Sequence, residues 1–122
     1  MPGRHYPRVA RINEVLRQVL AESIERMADS DERLAMLTVT AVQTDPDLRQ
    51  ARVLFDSLPD SALEALQEAR PRLQRLIGRE VRMKWTPQLS FGADPAVQSG
   101  RRVEDILKQL RTSEEPLRPP GG

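Results

Sequence analysis

Arg70, Arg72, Arg75, Arg79, Arg82 and Lys84 fall within fifteen residues, with Glu80 as the only acid among them. Guanidinium groups at this density make no bonds; what they do is bind anions. The planar fork of arginine donates two parallel hydrogen bonds to a phosphate, and a cluster of such forks attracts a polyanion from a distance. The formal net charge of the 122-residue chain is only +1, so this positive charge is gathered rather than spread. The competing account is a solvated helix face whose charges pair with nearby acids. Glu68 and Glu80 are too few to neutralise six cations, yet charge alone leaves a polyanion-binding surface and a solvated face about even. Arg8 and Arg11 form a weaker second basic patch, and Arg17 reads as ordinary helix surface charge.

Catalytic chemistry has little to draw on. His5 is the only histidine and lies in a Pro/Gly-containing leader, so a histidine-based triad or metal centre has no support. The chain has no cysteine, which removes disulfides, thiolate ligands and cysteine nucleophiles. Asp45 and Asp47 flank Pro46 in a turn, where capping of backbone donors explains them, and Asp29 and Asp31 have the same explanation. No Gly-rich phosphate loop or Walker-type lysine occurs. Neither a metal nor a cofactor is expected, and the chain reads as a non-enzyme. Trp85 has two readings, stacking on an unpaired base or burial in the core. Its alternation with Val81 and Met83 favours burial.

The elements that must position these groups follow from periodicity. Val9, Ile12, Leu16, Val19 or Leu20, Ser23 and Met27 recur at helical spacing and predict a long amphipathic helix, followed by a polar break over 28–33. Residues 37–44 alternate and are rich in β-branched side chains, as are residues 51–58, and the Asp45-Pro46-Asp47 turn between them makes a hairpin. Ser61 with Glu64 fits a capping box for a second helix carrying Ala62, Leu63, Leu66 and Ala69. A residue before proline is pushed away from helical ψ, so this helix is expected to falter at Arg70 and restart at Pro71. Ala69, Arg70 and Pro71 then form a kink, and the fresh helix N-terminus adds a dipole that favours phosphate. Val81, Met83 and Trp85 predict the third strand, resuming past Pro87 through Leu89 and Phe91. Residues 92–100 resemble a linker, and Val103, Ile106, Leu107 and Leu110 mark a short last helix. A single domain over 8–111 results, flanked by a loose leader over 1–7 and a disordered Pro/Gly-rich tail over 112–122. The fold class is α+β: a three-stranded sheet with its helices packed on one face. No apolar run approaches a membrane span, and the composition fits a cytoplasmic monomer.

Several short motifs carry a family likeness. They are Arg8-Val9-x-Arg11-Ile12, Asp31-x-Arg33-Leu34, Thr38-Val39-Thr40-x-Val42 and Asp47-Leu48-x-x-Ala51-x-Val53. Further on come Ala65-Leu66 with Ala69 and Leu73, then Arg82-x-x-x-x-Pro87-x-Leu89-x-Phe91-x-x-Asp94, and Gly100. Together, over roughly residues 8–110, the chain resembles ribosome-binding factor A, a small-subunit maturation factor with a type II KH-like fold. The resemblance implies the order α-β-β-α-kink-α-β with a C-terminal helix, and binding to the small ribosomal subunit and its rRNA. It further implies help in maturing the rRNA 5′ end, departure before translation, and a release GTPase as a partner. The corner departs from the pattern. Ordinary KH modules carry Gly-x-x-Gly there and this family Ala-x-Gly, whereas the residues here are Ala69-Arg70-Pro71. Proline supplies no N–H donor, so a close clamp on bare backbone is not expected. Two other classes stay open: a general KH-like module for single-stranded RNA or DNA, and a protein-interaction domain in which the arginines merely solubilise.

Overall fold

The computed structural model describes residues 8–117. Its elements are α1 (Arg8–Met27), a 3-10 turn (Glu32–Leu34), β1 (Val39–Thr44), β2 (Gln50–Phe55), α2 (Asp60–Glu80), β3 (Gln88–Ala93) and α3 (Pro95–Leu117). The strands form one sheet in the order β1-β2-β3, antiparallel between β1 and β2 and parallel between β2 and β3. A parallel neighbour requires a crossover, and α2 provides it. The leader expected over 1–7 lies outside the described residues.

One face of the sheet makes the core. Ala51, Val53 and Phe55 of β2, Val39 and Val42 of β1, and Leu89 and Phe91 of β3 are buried against the helices. From α1 come Leu16, Leu20 and Ile24, and from α2 Leu66, Ala69, Leu73 and Ile77, each set at the three- and four-residue spacing of one helix face. Phe55 and Phe91 meet with ring centroids 6.4 Å apart, both in the core as their alternation indicates. Asn13 ties α1 to the sheet, its side-chain oxygen accepting from the Thr44 hydroxyl at 2.6 Å.

Several expectations are corrected. The two helical segments flanking the Ala69-Arg70-Pro71 corner are one helix, with Pro71 inside it. Proline deletes one intrahelical donor, but Leu66 and Ala69 before it and Leu73 and Ile77 after it share a buried stripe, which holds the two halves in register. The Ser61 capping box does not form: the N-cap is Pro59, with no side-chain cap bond. The third strand begins at Gln88, and residues 81–87 are a loop, because β3 is set by pairing with β2 from Gln50↔Gln88 onwards. Finally, the stretch read as a linker contains Gly92 inside β3 and the start of α3. Asp94 accepts from Ala96 N at 2.9 Å and precedes Pro95, an Asp–Pro helix start. A bulge between Val39 and Ala41 brings the Thr40 hydroxyl onto that same Asp94 carboxylate at 2.5 Å. α3 runs on to Leu117, into the stretch read as a tail; residues 118–122 lie outside the described residues. Val103, Ile106, Leu107 and Leu110 form an apolar stripe on α3 as expected, but they are exposed.

Candidate nucleic-acid interface

Arg72, Arg75 and Arg79 are spaced by three and four residues and so share one face of α2. Alongside runs the C-terminal half of α1. Between the two helices lies an open groove of about 550 Å³ whose charged walls are Arg26 from α1 and Arg72, Arg75 and Arg79 from α2. Ser23, Met27 and Leu76 also line it. Ser23 is buried and donates its hydroxyl to the Val19 carbonyl at 2.8 Å, so no polar group of that residue is left over in the groove.

The charges in this groove are uncompensated. Among the described residues no carboxylate stands within 4.0 Å of Arg26, Arg72, Arg75 or Arg79; the cationic partners of the ion pairs are Arg17, Arg33, Arg49 and Arg101. Glu68, the acid nearest in sequence to the cluster on its N-terminal side, is engaged elsewhere. It accepts from Arg33 at 2.8 Å, and Arg33 also holds Asp31 at 2.8 Å. Hydrogen bonds from this one guanidinium keep both the Asp31 and the Glu68 carboxyls below their ordinary range. Arg26 and Arg79 occupy the last turns of α1 and α2, where the negative end of each helix dipole stabilises a cation. No helix begins at Pro71, so the expected dipole attraction for phosphate is absent and guanidinium charge alone makes the site.

The structure divides the basic residues that the sequence grouped. Arg70 points away from the groove toward β3, half-buried, with Nη1 donating to the Leu89 carbonyl at 3.4 Å. Arg82 and Lys84 lie in the loop after α2, not on a strand. Arg8 and Arg11 are exposed at the opposite end of α1, roughly 27 and 22 Å along the helix from Arg26 at 1.5 Å per residue. Arg17 is surface charge as expected, paired with Glu14 at 2.6 Å.

Two residues of the surface were missed. Arg26 is far from the cluster in sequence, and its only signal is its place beside Ser23 and Met27 at the end of the α1 stripe. Arg49, in the hairpin turn, lies with Cζ 4.2 Å from the ring centroid of Trp85. Trp85 itself is corrected: it is exposed rather than in the core, because the loop carrying it never joins the sheet. Of the Asp residues read as caps, Asp47 accepts from Arg49 N at 3.2 Å in the hairpin turn, and Asp31 accepts from Arg33 N at 3.1 Å at the 3-10 turn.

Residues 8–107, which hold both groove helices and the whole sheet, match the family model described as Ribosome-binding factor A. The chain belongs to that family. Ribosome-binding factor A of Bifidobacterium longum is 36% identical over 120 residues, covering 91% of this chain and 76% of the relative. That of Halothermothrix orenii is 30% identical over 119 residues, covering 93% and 97%. The crystal structure of ribosome-binding factor A from Thermus thermophilus superposes with a TM-score of 0.64 at 34% identity, over 70% of this chain and 93% of that one. A homology model of the Thermus thermophilus protein, fitted into a cryo-EM map of a 30S–ribosome-binding factor A complex, matches with a TM-score of 0.57 at 35% identity, over 68% and 91%. Ribosome-binding factor A is a family of ribosome-binding factors, and the α+β, KH-like architecture expected from the residues is the architecture of its solved members.

Proposed function

We propose that this protein binds the small ribosomal subunit during its assembly, docking the groove between α1 and α2 against folded rRNA. The observation carrying this reading is the convergence of Arg26, Arg72, Arg75 and Arg79 on one groove with no carboxylate among the described residues to pair with them. Membership of the family, and the Thermus relative fitted into a 30S complex, supply the partner. The protein acts in the cytoplasm as a monomer and makes or breaks no bond. By binding one rRNA conformation better than its alternatives it shifts the population toward that conformation, by no more than its difference in affinity for the two. In this account the favoured conformation is one in which the 5′ end of the rRNA is processed. The protein leaves before translation, when completed folding or a release GTPase removes the state it prefers.

Sedimentation of cell extract through a sucrose gradient tests the reading. The protein should travel with free small subunits and be missing from translating ribosomes, and cells lacking it should accumulate small-subunit rRNA with an unprocessed 5′ end. A protein found only at the top of the gradient in low salt contradicts it.

A further inference from the structure

Trp85 is the only tryptophan of the chain, and its indole is left partly in water although burying so large a ring is among the most favourable things a small fold can do. Two cations lie over it. Arg49 Cζ is 4.2 Å and Lys84 Nζ 5.1 Å from the ring centroid. Beside the ring is a small cavity of about 130 Å³, with Leu48 and Met83 among its walls. The site is braced from both sides. Arg49 is anchored through its backbone, whose carbonyl accepts from Gln88 N at 2.8 Å and whose N–H donates to Asp47 Oδ1 at 3.2 Å. The Trp85 loop is pinned by buried Pro87 and by Thr86, whose Oγ1 would be 2.9 Å from a Cβ placed on Gly78. That close approach seats the loop against the flank of α2 that carries Arg70 and Gln74 and faces β3.

We propose that Trp85 is a stacking platform for one unpaired nucleobase of a bound RNA strand. Arg49 braces the indole, and Lys84 neutralises the phosphate adjoining the stacked base. An aromatic face accepts any base, while Lys84 beside it accepts the backbone charge that comes with it, and that combination suits single-stranded nucleic acid. The inference rests on the RNA-binding reading above and adds a site for an unpaired nucleotide to a surface otherwise built for phosphate.

The single tryptophan makes its own reporter. Titrating the full chain with an unstructured oligouridine or oligoadenosine should quench Trp85 fluorescence, whereas an abasic sugar-phosphate strand of equal length should bind by anisotropy with little quenching. Trp85→Leu should weaken oligonucleotide binding by roughly 5- to 150-fold, the range for loss of one stacked base, with abasic binding unchanged and most affinity kept in Trp85→Phe. Binding with no change in fluorescence, equal quenching by the abasic strand, or wild-type affinity in Trp85→Leu would each overturn the platform while leaving the groove intact. The doubly reversed Arg72→Glu/Arg75→Glu variant separates the two claims. If it binds oligonucleotide as wild type does, the groove reading fails and the platform with it; if wild type binds none, the platform fails while the groove's claim on folded rRNA stands.

Discussion

Arg26 gives the groove its sharpest test, because it joins the basic surface only through the packing of α1 against α2. Four groove arginines that each displace about one counterion from rRNA give a slope of log affinity against log salt of about −2.8 to −3.6. Between 50 and 200 mM salt the affinity should then fall by about 50- to 150-fold, by the same counterion relation. Arg26→Ala removes one of the four, so its slope should be shallower by about 0.7 to 0.9 and the fall about 20- to 40-fold. Arg17→Ala is the matched control: it lies on the same helix, but its guanidinium is already paired with Glu14 at 2.6 Å and lies outside the groove. Filter binding of small-subunit rRNA at five or six salt concentrations measures all three slopes. An unchanged slope in Arg26→Ala, or an equal loss in Arg17→Ala, refutes the assignment of the groove.

Three further outcomes follow from the packing. Pro71→Ala restores the N–H missing from the middle of α2 at an exposed position, and should stabilise the protein to urea by about 2 kcal/mol, the helix-propensity gain less the entropy that proline removes from the unfolded chain; a lower urea midpoint would show that the surrounding fold requires proline there. Arg33→Gln should lower the melting temperature at pH 7, where the lowered Asp31 and Glu68 carboxyls are both ionised and paired. Because their folded values lie below the unfolded ones, this stabilisation is present above the ordinary carboxylate range and is lost as pH falls through the folded values, so the gap between wild type and variant should close below about pH 4; a gap that persists at pH 2.5 by circular dichroism contradicts it. Ile106→Gln and Leu110→Gln alter a half-exposed stripe on α3 and should change unfolding free energy by less than about 0.5 kcal/mol in chemical denaturation; a larger loss would mean that this stripe is covered in solution.

The residues revealed the core well because burial imposes periodicity. Leu16 and Leu20 announce α1, Ala51, Val53 and Phe55 announce β2, and the turn at Asp45-Pro46-Asp47 joins the hairpin where expected. Errors arose where a local signal met a tertiary one. Val81, Met83 and Trp85 alternate as a strand would, yet the ladder with β2 starts only at Gln88, since parallel pairing fixes register from outside the segment. Pro71 argues locally for a break, but the stripe from Leu66 to Ile77 continues across it. At Asp94-Pro95 the signal was present and outweighed by neighbouring glycines: an acidic N-cap before proline marks a helix start. The site was legible on α2 alone. The density of cations marked Arg72, Arg75 and Arg79, but the separation of Arg70 from them, and the arrival of Arg26 and Arg49 from other elements, depend on how helices and loops meet in space.

A cryo-EM reconstruction of this protein on an immature small subunit tests the central claim most directly. Phosphates of the rRNA should lie within hydrogen-bonding distance, about 2.7 to 2.9 Å, of the guanidiniums of Arg26, Arg72, Arg75 and Arg79, with the α1–α2 groove facing the RNA. A complex in which those four arginines face solvent, and a different surface meets the subunit, would contradict it.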